Sequence, residues 1–168
     1  MPSKSNIILI GMPGAGKSTV GVLLAKRLSK RFVDTDIIIQ HRKKQSLQNI
    51  LDLHGYRKLR AVEEEVICSL RVREAVIATG GSAVYSAKAM EYLGKRGTVV
   101  YFQLGINGVK RRITDFATRG IAKPPWQTFR QLFDERTRLY RKYADHTIDC
   151  RNVTPEEIGD RVEEVLRQ

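Results

Sequence analysis

Residues 11–18 read Gly-Met-Pro-Gly-Ala-Gly-Lys-Ser, and no other stretch of this 168-residue chain constrains its fold so tightly. A glycine, four residues, then Gly-Lys-Ser makes a loop whose backbone N–H groups turn inward around phosphate oxygens. Side chains at the glycine positions would block that approach. The loop needs a strand before it and a helix after it, because the first helical turn adds unpaired N–H groups and the positive end of the helix dipole. Both are legible. The apolar run Asn6–Ile10 precedes the loop, and Val20, Leu23, Leu24, Arg27 and Leu28 follow at helical spacing. Gly11, Gly14, Ala15, Gly16 and Thr19 are therefore the candidate phosphate cradle. Lys17 would supply a point charge to the β and γ phosphates of a nucleotide, and the Ser18 hydroxyl would be a ligand for Mg²⁺. A glycine turn beside an unrelated lysine would leave the flanking strand and helix unexplained.

The rest of the chain repeats the same alternation. Short apolar runs at 31–33, 76–78, 98–104 and His146–Asp149 are separated by longer helical patterns, the last striped by Ile158, Val162, Val165 and Leu166. Thr154-Pro155-Glu156-Glu157 opens that helix with a cap, a first-turn proline and two acids near the positive dipole end. Alternating strands and helices predict an α/β fold with a parallel sheet covered on both faces, and ligands at the carboxyl ends of its strands. Residues 108–129, rich in Arg and Gly and holding a Pro-Pro pair, read as a helix followed by a mobile loop. No linker or repeat divides the chain, so a single domain over residues 1–168 is expected.

Composition narrows the class. Two distant cysteines, Cys68 and Cys150, exclude a disulfide scaffold or zinc ribbon, and no apolar run approaches a membrane span. The N-terminus runs straight into a strand pattern, so a cytoplasmic protein is expected. Thirty Lys and Arg against 18 Asp and Glu give a net charge of +12, which suits polyanions and phosphorylated ligands. A nucleic-acid-binding role would need an aromatic stacking platform or a recognition helix, and neither is legible.

Acids and arginines gather around the expected carboxyl edge. Asp34-Thr35-Asp36 follows the second strand. One carboxylate would serve Mg²⁺ and the other would accept the proton of an attacking hydroxyl; the competing reading is helix capping ahead of Ile37-Ile38-Ile39. Arg60 and Glu63 lie three apart on a helix and could pair, within a run of charges that reads mostly as a solvated face. Gly80-Gly81-Ser82 follows the third strand, where missing side chains permit close approach. Arg136 and Arg138 project differently, so one of them at most faces a site. Arg111, Arg112 and Arg119 flank the irregular stretch, where mobile arginines can close over a transferring phosphoryl group.

Taken in order, these parts resemble the shikimate kinase family of nucleoside-monophosphate-kinase-like P-loop proteins, from about residue 7 to residue 166. The specific signs are Asp34-Thr35-Asp36, Arg60 ahead of Val62-Glu63-Glu64, Gly80-Gly81, Arg119, and Glu135-Arg136 before Leu139-Tyr140. The resemblance implies a three-layer P-loop kinase fold, a five-stranded sheet in order 2-3-1-4-5, an acceptor-binding region at about 34–62 and a lid at about 112–127. It implies ATP and Mg²⁺, with phosphorylation of a carboxylate-bearing metabolite, shikimate first and another hydroxy acid or sugar acid second. Asp36 would hold the reacting hydroxyls. Arg60, Arg136, Gly80 and Gly81 would hold the carboxylate, and Asp34 with Ser18 would serve the metal. Arg119 would reach the phosphates, Arg112 would lie over adenine, and Arg151 and Pro155 would bound the adenine loop. No membrane, obligate nucleic acid or partner subunit is implied. The chain departs from the family at Ser82, where a third glycine is usual, in its lid, Arg119-Gly120-Ile121-Ala122, and by an extra residue near Val153.

Overall fold

The computed structural model describes residues 4–115 and 118–168. Phe116 and Ala117, inside the expected lid, and Met1–Ser3 at the N-terminus lie outside the described residues. Five parallel strands form one sheet in the order β2-β3-β1-β4-β5: β1 Asn6–Ile10, β2 Arg31–Asp34, β3 Ala75–Ala78, β4 Gly97–Gln103 and β5 His146–Asp149. The strands expected at 31–33, 76–78 and 98–104 are each present with ends shifted by one residue.

The centre of the sheet follows from β1. Its residues are buried on both faces, as a parallel strand covered by helices must be. Ile8 and Ile10 point to one side with Ile77, Val99, Tyr101, Met90, Leu93 and Tyr140. Ile7 and Leu9 point to the other with Val20, Leu24, Val100, Phe102, Ile158 and Val162. Helices α1 Lys17–Arg27 and α7 Pro155–Leu166 cover the second side. Thr154 and Glu157 form the capping box of α7, with Pro155 in its first turn, so that reading holds in detail.

Two helices fill the crossover from β2 to β3: α2 Thr35–Lys43 and α3 Leu47–Ser69. Gly55 breaks α3 with φ 79° and ψ 169°, a backbone region that favours glycine. These helices build a separate small core from Ile39, Ile50, Leu59, Val62 and Val66, joined by Ala122 from the distant loop. A short 3-10 turn at Ala83–Tyr85 and helix α4 Ala87–Gly94 follow β3. The helix expected within 108–129 begins earlier, as α5 Ile106–Arg112, and a loop then leads to α6 Phe129–Tyr143.

Among the described residues no helix is long and apolar enough to cross a membrane.

Candidate active site

The phosphate loop leaves β1 and closes on itself before α1. Gly11, Gly14 and Gly16 have φ of 149°, 79° and 96°. At Gly11 a Cβ would also lie 2.8 Å from the Phe102 carbonyl oxygen, so only glycine fits. Ala15 sits inside the loop, its N–H donating to the Met12 carbonyl at 3.1 Å. The Lys17 ammonium is buried and donates to the carbonyls of Gly11 and Met12, both at 2.8 Å. Burial lowers its pKa to about 8, against the opposing pull of Asp36.

The end of β2 bears out the capping reading of Asp34-Thr35-Asp36. Asp34 caps α2, its Oδ1 accepting from the N–H groups of Asp36 at 2.9 Å and Ile37 at 3.4 Å. Its Oδ2 accepts from the Ser18 hydroxyl at 2.7 Å. One carboxylate thus performs the capping and also joins the phosphate loop. Buried Thr35 accepts the Gly80 N–H at 3.1 Å, so Gly80 spends its backbone donor on the scaffold. Asp36 lies in the wall beyond, where burial, reinforced by the charge of Asp34, raises its pKa to about 6.

Gly14, Gly16, Lys17, Ser18, Thr19, Asp34, Asp36, Gly80, Gly81, Arg112, Arg119 and Arg136 line one cleft of about 480 Å³ at the carboxyl ends of the strands. The sequence placed all twelve among the candidate residues. The glycine pair works by absence. A Cβ on Gly80 would strike the carboxyl groups of Glu63 and Asp36, and one on Gly81 would come within 2.7 Å of the Arg136 guanidinium. Arg136 is almost wholly buried, whereas Arg138 on the same helix is exposed.

Other expected residues sit differently. Arg60 does not line the cleft; its guanidinium lies 3.6 Å from the Tyr85 ring centroid and 5.0 Å from that of Tyr56. Its terminal nitrogen donates to the Ala122 carbonyl at 3.1 Å, and Arg136 donates to the same oxygen at 2.9 Å. The Nε atoms of both arginines are buried without a hydrogen-bond partner. Arg112 reaches back toward the carbonyls of Gly14 and Ala15, at 3.4 Å each, and also lines a second cleft with Gly105, Asn107, Arg111 and Arg151. Pro155 lines neither cleft. Arg151 is exposed and holds Asp149 through several hydrogen bonds, the shortest 2.6 Å.

One reading of this region is corrected. Arg60 and Glu63 do not pair, and Glu63 is not on a solvated face. It is 3% exposed, and its carboxyl accepts from the Ser82 hydroxyl. Burial, with the neighbouring Asp36, raises its pKa to about 7. The apolar spacing of α3 could have shown this, because Leu59, Val62, Val66 and Ile67 are all buried and position 63 falls on their face. Residues 120–122 pack against the helices of this region. The Gly120 N–H donates to Gln48 Oε1 at 2.8 Å, Ala122 is buried, and its carbonyl receives both arginines. The sequence missed Tyr140 as a polar member of the site: its hydroxyl donates to the Gly81 carbonyl at 2.6 Å and steadies the glycine pair.

This arrangement puts a phosphate loop, the carboxyl groups of Asp34, Asp36 and Glu63 and the guanidinium groups of Arg112, Arg119 and Arg136 around one space, the pattern of a kinase for a small anion. The sequence model described as shikimate kinase matches residues 13–167. A shikimate kinase of a Sulfurihydrogenibium species is 35% identical over 96% of this chain and 95% of its own length. One from Rippkaea orientalis is 38% identical over 96% and 87%. The solved shikimate kinase of Acinetobacter baumannii in complex with shikimate superposes with a TM-score of 0.87 at 30% identity, covering 98% of this chain and 94% of that one. Sequence and fold agree from end to end, and the chain belongs to the shikimate kinase family.

Proposed function

We propose that the chain transfers the γ-phosphoryl group of ATP to a hydroxyl of shikimate. The observation that carries this is the convergence of Arg60 and Arg136 on one carbonyl, with both Nε donors unpaired, across the cleft wall from Asp36. Buried Arg136 and half-buried Arg60, each with a buried Nε left over, call for an anion, and a carboxylate answers guanidinium groups in a planar, bidentate way. The shikimate bound to the Acinetobacter relative is such a ligand.

In this reading the acceptor oxygen attacks the γ phosphorus, the bond to the β-bridging oxygen breaks, and ADP departs. Asp36 takes the proton of the attacking hydroxyl. Lys17 meets the phosphate charge as it spreads over the transferring oxygens, and Arg119 adds to it from the segment that covers the cleft. Ser18 and Asp34 fit Mg²⁺, a hard cation satisfied by one or two protein oxygens plus phosphate and water, and the ion would neutralise phosphate charge there. Arg112, and Arg151 in the second cleft, flank the space for the base. A cytoplasmic setting belongs to the same reading.

Ser82 lines the same cleft. Its φ of −96° is an ordinary one, and its hydroxyl is turned to Glu63.

The test is ATP turnover with a panel of hydroxy acids that includes shikimate and gluconate. Shikimate should be turned over at about 1–100 s⁻¹, and Asp36→Asn should lower kcat by about 10²-fold or more. Preference for another acid, or an active Asp36→Asn, would overturn the reading.

A further inference from the structure

Tyr85 closes the short 3-10 turn that follows Gly80 and Gly81, and its ring faces both arginines of the acceptor side. The guanidinium carbon of Arg60 lies 3.6 Å from the ring centroid, and that of Arg136 lies 5.6 Å from it. Tyr56, one turn before Arg60 on α3, brings a second ring to 5.0 Å from Arg60. The far end of Tyr85 is anchored as well: its hydroxyl donates to Oε1 of Glu135, the neighbour of Arg136 on α6. One half-buried side chain thus ties the turn after the glycine pair to the two helices that carry the arginines.

Arg60 and Arg136 also donate to the same Ala122 carbonyl oxygen, so two like charges are held close and repel each other. The negative face of an aromatic ring attracts a guanidinium group and fixes its plane, which leaves the N–H groups at its edge for other partners. Stacking therefore orders Arg60 without consuming its donors, and its Nε stays without a hydrogen-bond partner. A free arginine side chain has many rotamers to lose when a ligand arrives; one already held against a ring loses fewer.

We infer that Tyr85 is a positioning residue for the acceptor: its ring holds the Arg60 guanidinium group beside Arg136, so that the carboxylate of the acceptor meets two ordered cations. This rests on the reading of the two arginines as the acceptor's clamp. The ring face does the positioning. The hydroxyl is secondary, because its partner Glu135 is exposed and water can replace that bond.

Tyr85→Leu keeps an apolar side chain and removes the ring. The acceptor KM should rise about 5- to 30-fold, the scale of a partly desolvated cation–π contact, with kcat and the KM for ATP within about twofold of native. Tyr85→Phe keeps the ring without the hydroxyl and should hold the acceptor KM within about twofold of native. In an Arg60→Ala background, Tyr85→Leu should change the acceptor KM by less than about threefold further, since the group it positions is gone. The crystal structure of ligand-free Tyr85→Leu should show the Arg60 guanidinium group displaced from the Ala122 carbonyl. An Arg60 that stays in place, a native acceptor KM in Tyr85→Leu, or a Tyr85→Phe as impaired as Tyr85→Leu overturns the inference. So does a rise in both KM values together, which would mark a general loosening. Failure of the native chain to phosphorylate shikimate would instead sink the acceptor reading, while the position of Arg60 in Tyr85→Leu, seen without any ligand, still decides the role of Tyr85.

Discussion

Ser18 donates its hydroxyl hydrogen to Oδ2 of Asp34 at 2.7 Å, while Oδ1 of the same carboxylate caps the helix that carries Asp36. The phosphate loop and the helix that carries Asp36 are therefore joined through one side chain whose two oxygens do different things. Asp34→Asn and Asp34→Ala separate them. Asn caps a helix as well as Asp, so Asp34→Asn should keep stability within about 0.5 kcal/mol, whereas Asp34→Ala should lose about 1 kcal/mol. Both lose a negative charge at the phosphates, so both should lower kcat by about 10²-fold. Thermal melts beside initial rates are the measurement. Native activity in Asp34→Asn would reduce Asp34 to a cap.

Lys17→Ala should lower phosphoryl transfer by about 10²- to 10³-fold or more, since in the proposed reaction that charge meets the oxygens where transition-state charge develops. Stability should hardly fall. The buried ammonium is already costly, as its lowered pKa shows, and the turn is made by the glycines. A strongly destabilised yet active variant would reverse both halves of this expectation.

The arginines differ by burial. Arg136→Ala and Arg60→Ala should each raise the acceptor KM by about 10- to 150-fold with little change for ATP. Arg136→Ala should also lower the melting temperature, because the guanidinium is almost wholly buried and its removal leaves a cavity. Exposed Arg138→Ala should be nearly silent. Equal KM effects from Arg136→Ala and Arg138→Ala would mean diffuse electrostatics in place of a clamp.

Glu63→Gln should stabilise the ligand-free protein at pH 8 and leave it unchanged at pH 4. The folded-state pKa of Glu63 is raised from 4.5 to about 7. Its favourable contribution is complete below the unfolded value and is lost as the pH rises through about 7, where the buried group must ionise. Glutamine escapes that cost, worth about 1–3 kcal/mol above pH 7. Denaturant midpoints at the two pH values decide it; a gain that does not depend on pH would assign the effect to packing.

Gly120→Ala tests the segment over the acceptor. Gly120 has φ 63°, and a Cβ there would lie 2.6 Å from Leu47 Cβ and 2.8 Å from the Leu47 carbonyl carbon. The variant should dock residues 120–122 poorly, raise the acceptor KM and increase ATP hydrolysis without acceptor, because water then reaches the phosphates. Trp126, the one tryptophan of the chain, is exposed in the same loop, and its fluorescence reports the change. Unaltered hydrolysis would mean that this contact does not govern water access.

Local chemistry determined what could be read directly. The phosphate loop needs its glycines, Lys17 and Ser18 within eight consecutive residues, and β1 had to be a buried strand for that loop to stand at a sheet edge. The cap and first-turn proline of α7 are equally local, as is the turning of Arg136 and Arg138 to different faces of α6. Contacts between distant segments decided the rest. Whether Glu63 pairs with Arg60 three residues away or with Ser82 nineteen residues on depends on where the turn after β3 lies against α3, and helical spacing alone favours the wrong partner. The docking of Ala122 on both arginines follows from a loop folding back onto α3, with Gly120 fitting against Leu47 and Gln48. The sequence records which groups can donate and accept. Only packing determines which distant partners reach them first, and at Glu63 it selects the Ser82 hydroxyl over the guanidinium group of Arg60.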